Sequence, residues 1–163
     1  MNRIDFLRAL KEFTLEAVKD IILPTSVQKG DNEQVFRPVE VHLMRLPDST
    51  AAKKKVPYII HQIITTKDEQ PKGEQPKATA QVRSICCVWN SDEEEGALML
   101  LNLMERLRIE MLRKIVIDDR YELDMGTGLE ALIYPDDTAP YFMGEMVSTW
   151  KLPAVKREVR EWL

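Results

Sequence analysis

SDEEEGALMLLNLMERLRIEMLRKIV, residues 91–116, is the stretch on which the fold turns. Ser91 and Glu94 have the spacing of a capping box. The acids Asp92 to Glu95 fall where a helix N-terminus is positive. Ala97, Leu100, Met104, Leu107, Met111 and Ile115 then recur at steps of three and four, widened by Leu101 and Leu112. That period predicts an amphipathic helix with one apolar face. Glu105, Arg106, Arg108, Glu110, Arg113 and Lys114 keep mostly to its other sides. Arg113 and Lys114 sit in the last turn, where a cation suits the helix dipole.

Such a helix needs an apolar surface to cover, and its neighbours read as strands. Upstream, VEVHLMRL (39–46) alternates Val39, Val41 and Leu43 with Glu40, His42 and Met44. YIIHQIITT (58–66) is rich in β-branched residues, and ATAQVRSICCVW (78–89) gives a third strand. Downstream, RYELD (120–124) predicts a short strand, and LEALIY (129–134) with YFMGEMVSTW (141–150) a hairpin. Residues 3–22 predict a second helix, capped by Asn2, with a stripe of Ile4, Leu7, Leu10, Thr14, Ala17, Val18 and Ile21. Phe6 and Phe13 widen that stripe, which fits packing against a sheet.

The remainder reads as connections. Residues 24–38, with Pro24, Gly30, Asp31, Asn32 and Pro38, predict a loop. Pro47 to Thr50 and Lys53 to Lys55 make an exposed loop. KDEQPKGEQPKA, ending at residue 78, gives a flexible Pro/Lys connection at about 67–77. A tail over 151–163 carries a short helix after Pro153, with Trp162 as its anchor. The expected fold is a single α+β domain over residues 1–163: a mixed, mainly antiparallel sheet flanked by two main helices, in the order α-β-β-β-α-β-β-β.

The bulk numbers narrow the function. A chain of 163 residues is one ordinary domain. With 44% apolar and 31% charged residues it has a soluble globular composition. A net charge of −4 makes it a poor candidate for gripping a phosphate backbone. No apolar run approaches the roughly 20 residues that span a bilayer. The charged start MNRIDFLRALKEF is not a signal peptide. Cys86 and Cys87 are adjacent, so in a strand they point to opposite faces and stay reduced.

Candidate chemistry is sparse. Tyr134-Pro135-Asp136-Asp137 resembles the metal-binding hairpin of a reverse-transcriptase-like polymerase. Two-metal chemistry needs further carboxylates from other strands, and proline followed by aspartate is good turn chemistry, so a turn is expected. SDEEEG lacks the alternating ligand spacing of a calcium loop. His42 and His61 lie on neighbouring predicted strands and could meet, but a pair without a third ligand makes a weak metal site; surface or interface histidines are the plainer reading. Gly126-Thr127-Gly128 is a turn. No catalytic, cofactor-binding or metal-binding set emerges, and no cofactor is expected. Lys53, Lys54, Lys55, Lys67, Lys72 and Lys77 make two locally basic loops, either for solubility or for contact with an acidic partner. With Trp162 they form the candidate protein-interface set.

An acidic helix start followed by LLNLMERLRIEML, then GLEALIYPDDTAPYFMGEMVSTWKLP, resembles a family of small prophage proteins from the tail-gene region. These are the tail terminator or tail completion proteins of long-tailed phages. The likeness spans about residues 80–155, with a compatible first helix and early strands. The resemblance implies a non-enzymatic structural protein of the virion, made in the host cytoplasm. It implies a hexameric ring of copies that caps the tail tube, stops its polymerisation and joins the tail to the head connector. The major tail tube protein and the connector would be partners, DNA would only pass through the channel, and no membrane would be involved. The 47–56 and 67–77 loops would then touch the tube or face the lumen. Two alternatives are a head-tail connector or head-closure neck protein, and a small ligand-binding or catalytic domain.

Overall fold

A computed structural model describes residues 2–29, 33–47, 56–135 and 139–158. Helix α1 (Arg3–Val18) opens the chain because Asn2 and Asp5 cap it reciprocally. The Asn2 side chain accepts from the Ile4 and Asp5 N–H groups at 2.9 and 3.0 Å, and Asp5 accepts from the Asn2 N–H at 3.0 Å. Helix α2 (Glu93–Lys114) starts one residue later than its predicted cap. Asp92, not Ser91, is the N-cap and accepts from the Glu95 N–H at 3.0 Å. Asn90 in turn holds the Asp92 N–H at 2.9 Å.

Among the described residues nine strands accompany the helices: β1 (Ile22–Lys29), β2 (Glu33–Pro38), β3 (Glu40–Leu43), β4 (Tyr58–Glu69), β5 (Lys77–Trp89), β6 (Val116–Ile117), β7 (Tyr121–Leu123), β8 (Glu130–Ile133) and β9 (Tyr141–Leu152). The main sheet runs β3-β4-β5-β9-β7-β6, with β8 beside β9. Only β3 and β4 pair in parallel; the other pairs are antiparallel. The fold is α+β with a mixed, mainly antiparallel sheet and two helices, as the sequence predicts.

Several local expectations are corrected. Residues 24–38 are not a loop: β1 and β2 pair as a separate two-stranded sheet. The connection expected at 67–77 is shorter, because β4 continues through Glu69 and β5 begins at Lys77, so only residues 70–76 join them. Gly73, at a φ of 76°, supplies the left-handed residue of that connection. The segment 153–158 is neither helix nor strand. Helix α2 ends at Lys114; Ile115 has left the helix, with φ 61° and ψ −50°. That is close to the strained γ-turn conformation. It is held because the Ile115 N–H donates to the Met111 carbonyl and the Ile115 carbonyl accepts from Leu123. The buried stripe of α2 is also rotated from the predicted one. Gly96 and Leu103 are buried, while Ala97 and Leu101 are exposed.

Both helices lie on one face of the sheet, α1 over β3 and β4, α2 over β5 and β9. Val82, Ser84, Cys86 and Val88 of β5 turn to this face, with Met146, Ser148 and Trp150 of β9. Phe6 of α1 meets Tyr121 edge-on at 5.2 Å and Trp150 at 5.7 Å between ring centroids. Truncating a buried aromatic of this kind costs about 3–5 kcal/mol. Glycine is required where α2 meets β9. A Cβ on Gly96 would sit 2.1 Å from the Phe142 ring, and one on Gly144 would sit 2.8 Å from Met104 Sδ. A smaller cluster of Val56, Tyr58, Ile60 and Cys87 occupies the other face. Cys86 and Cys87 therefore face opposite sides, both buried and both free, as adjacent strand residues must.

Candidate interaction surfaces

The sequence-derived interface residues divide sharply. Lys53, Lys54, Lys55 and Trp162 lie outside the described residues, as do Asp136 and Asp137. Lys67 and Lys77 belong to strands, not to a loop, and each has an acidic neighbour: Lys67 Nζ is 3.5 Å from Glu69, and Lys77 Nζ is 3.0 Å from Glu74. The Glu74 hydrogen bond holds the Lys77 ammonium above its ordinary pKa. Lys72 is exposed in the connection between them. The three described lysines thus share their surface with carboxylates, which weakens any basic field there.

His42 and His61 do not meet. In the parallel register His42 lies beside Ile60 and His61 beside Leu43, so the two rings leave opposite faces. His42 Nε2 is 2.9 Å from Glu40. His61 is not a surface histidine; it is 0% exposed, between Thr14 of α1 and Ser84 of β5. Thr14 Oγ1 donates its single proton to the Leu10 carbonyl at 2.8 Å. It must therefore accept from His61 Nε2 at 2.7 Å, leaving Nδ1 to accept from the Ser84 hydroxyl at 2.7 Å. Every polar atom is satisfied with the ring neutral, and burial pushes its pKa down to about 3. A Ser–His pair of this kind matches nucleophile chemistry in form. Here both side chains are sealed under α1, and a threonine stands where a carboxylate would orient the base. Its role is to join α1 to the sheet. Among the described residues no group of three or more His, Cys, Asp or Glu side chains is placed to hold a metal. None of the described helices is long and apolar enough to cross a membrane.

Two exposed apolar surfaces stand out instead. The first is at β8. This strand pairs with β9 along one edge, and all four of its residues are exposed. Leu132 shares the outer face with Glu145, and Ile133 shares the helix face with Gly144; they are 53% and 43% exposed. Natural edge strands are usually blunted by charge, proline or a cover, and β8 itself carries only Glu130. Helix α2 extends this surface. At about 100° per residue, exposed Leu98 and Ile109 fall opposite the buried face and point away from the sheet, while exposed Leu101 lies on one flank. Arg106 marks the other flank, donating to Asp20 at 2.6 Å beside the end of α1. The Leu101 flank therefore faces away from α1, toward the side of the sheet where β8 lies.

The second surface is on the β1–β2 hairpin. Ile22 pairs with Pro38 and Pro24 with Phe36, which puts Ile22 and Phe36 on one side. They are 59% and 58% exposed, while Leu23, on the other side, packs against the core. Periodicity missed both surfaces. LEALIY reads as one arm of a hairpin, and its place at the sheet edge is what exposes it. The hairpin did carry a signal: Gly30-Asp31-Asn32 between β-forming residues has the composition of a turn.

No family model and no curated protein matches the chain.

Proposed function

We propose that the chain is a structural virion assembly protein, a tail terminator of a long-tailed phage. Copies form a ring, hexameric in the family it resembles, that caps the tail tube, stops its growth and presents a surface to the head connector. The observation that carries this reading is the pair of separate apolar surfaces on one chain. A ring is built from heterologous contacts, in which one patch meets a different patch on the next copy. The β8 edge with the α2 flank supplies one patch, and the Ile22–Phe36 side of the hairpin supplies a different one. The free backbone groups of β8 add a way to fix register by strand addition. A net charge of −4 suits a channel that lets DNA pass without holding it.

The test is to delete this reading frame from an inducible prophage that carries it and view the particles by negative-stain electron microscopy. Over-long tails that fail to join full heads are the expected result. Tails of normal length beside unjoined heads would move the protein to the head-tail connector. Wild-type particles would overturn an assembly role altogether.

A further inference from the structure

Leu98 and Ile109 of α2 are 53% and 41% exposed and point away from the sheet. The step from residue 98 to residue 109 is close to three whole helical turns. The two side chains therefore lie on one line along the helix, about 16 Å apart. A helix packed on a sheet ordinarily presents polar groups along that line. Asn102 and Glu105 keep the pattern between them, and the two apolar residues break it at either end.

Charge is segregated along the same helix. The first turn holds Glu93, Glu94 and Glu95, and the last turn holds Arg113 and Lys114. Glu94 and Glu95 stand about 50° to either side of the line through Leu98 and Ile109, and Arg113 stands on the Glu95 side. All three are exposed. Arg113 pairs with Glu110 at 3.0 Å, but its side chain is 71% exposed, and a pair of that kind contributes little.

The same face of a second copy, running antiparallel, answers both features. Residues 98 and 109 share one midpoint with residues 94 and 113. A two-fold axis between residues 103 and 104 therefore sets Leu98 against Ile109 of the second copy and, in the same register, brings Arg113 of that copy beside Glu94 and Glu95. A parallel arrangement would instead stack the acids on the acids. Antiparallel packing also opposes the two helix dipoles.

We propose that α2 of one copy packs back to back on α2 of a second copy in this register, with each contact made twice. The contact is isologous, so it closes at two copies and does not propagate. It goes beyond the ring reading, whose heterologous patches leave Leu98 and Ile109 unused. Two apolar pairs make a contact well short of the roughly 1,200 Å² of a stable interface. The pairing is therefore populated near millimolar concentration, and the chain is a monomer at micromolar concentration.

The experiment traps the pairing with disulfides. The full chain carrying Leu98→Cys and Ile109→Cys together is held at millimolar concentration in a glutathione redox buffer, and covalent dimer is read on a non-reducing gel. Cys86 and Cys87 are buried and do not compete. The double variant should give at least about tenfold more dimer than either single variant, because each single substitution leaves its two cysteines about 16 Å apart across the axis, beyond disulfide reach. Adding Arg113→Glu should cut the yield at least about threefold, since the axis repeats the lost ion pair, and further adding Glu95→Arg should recover part of it. All four positions are exposed, so these substitutions keep the fold. No dimer, or equal yields from single and double variants, would overturn the proposal. So would a yield that Arg113→Glu leaves unchanged or that Glu95→Arg does not recover.

Discussion

Stability should fall as pH drops from 7 to 5, and His61 should be the cause. The ring is 0% exposed, and its folded pKa is pushed down to about 3 by burial. In the unfolded chain it returns to about 6.5. Above pH 6.5 both states are neutral and the contribution is complete. Below it the unfolded chain takes up a proton that the folded chain refuses, so stability is lost as pH falls. The slope approaches about 1.4 kcal/mol per pH unit and ends near pH 3, a total of about 5 kcal/mol. Between pH 7 and pH 5 the loss integrates to about 2 kcal/mol. Arg106, Arg108 and Thr127 hold the Asp20, Glu105 and Asp124 carboxyls below their usual range. Those groups exact their losses only at lower pH, so the upper window isolates the histidine. Urea unfolding at pH 7 and pH 5 should show the drop in wild type and in His42→Gln. In His61→Gln, which keeps a hydrogen-bonding side chain and cannot titrate, the drop should be nearly absent. Equal losses in wild type and His61→Gln would refute the burial argument.

Gly144→Ala should destabilise by about 1–3 kcal/mol in urea, since its Cβ would press on Met104 Sδ and on the Leu132 carbonyl at 3.0 Å. Met104→Ala should cost less in the Gly144→Ala chain than in wild type, because it relieves the clash as it empties the core, and an unchanged midpoint for Gly144→Ala alone would refute the packing. Burial pushes the Cys86 thiol up to about 12 and the Cys87 thiol up to about 11. Neither should react with Ellman's reagent at pH 8 until urea unfolds the chain, and rapid stoichiometric labelling of the native protein would contradict this. Leu132→Asp combined with Ile133→Lys should leave the urea midpoint within about 0.5 kcal/mol of wild type, because both side chains are already exposed. Complementation of the prophage deletion by this variant should fail, and full complementation would remove β8 from the interface.

What the sequence revealed depended on whether a residue's neighbours are local. Helix α2 was legible because caps, period and charge bias all act within one turn. Strands β4, β5 and β9 were legible because each alternates across a sheet with one face under helices. Cys86 and Cys87 followed from strand geometry alone. The β1–β2 hairpin was hidden because its strands pair only with each other and carry Pro24 and Pro38, which read as breaks. The last residues of β4, Lys67 to Glu69, were hidden because no helix covers the sheet beyond Ile63 strongly enough to impose alternation. Strand β7 was read from RYELD, but β6, two residues long, falls below any period. On α2 the sequence offers leucines on both flanks. Leu103 is buried and Leu101 exposed because α1 packs on one side only, a fact no local pattern contains. His61 belongs to the same class, since its partners lie 47 and 23 residues away.

The β8 surface also bears on when a ring would form. Leu101, Leu132 and Ile133 are each about half exposed already. Fully burying a Leu or Ile side chain is worth about 1.5–3 kcal/mol, so covering the exposed half of each adds about 1 kcal/mol, or about 3 kcal/mol for the patch. Bringing two free chains together costs about 4–15 kcal/mol in lost translation and rotation. A single contact of this size therefore leaves the chain monomeric at ordinary concentrations. On the end of a tube the balance changes. In the proposed assembly each copy would already be held by the tube, so its neighbour contact would become an intramolecular event at high effective concentration. Closure then adds one more contact than an open chain of the same copies has. A weak heterologous patch is thus the design that assembles on the tube tip and not in solution. A monomer by sedimentation, with a ring appearing only when purified tail tubes are added, is the pattern this energetics requires.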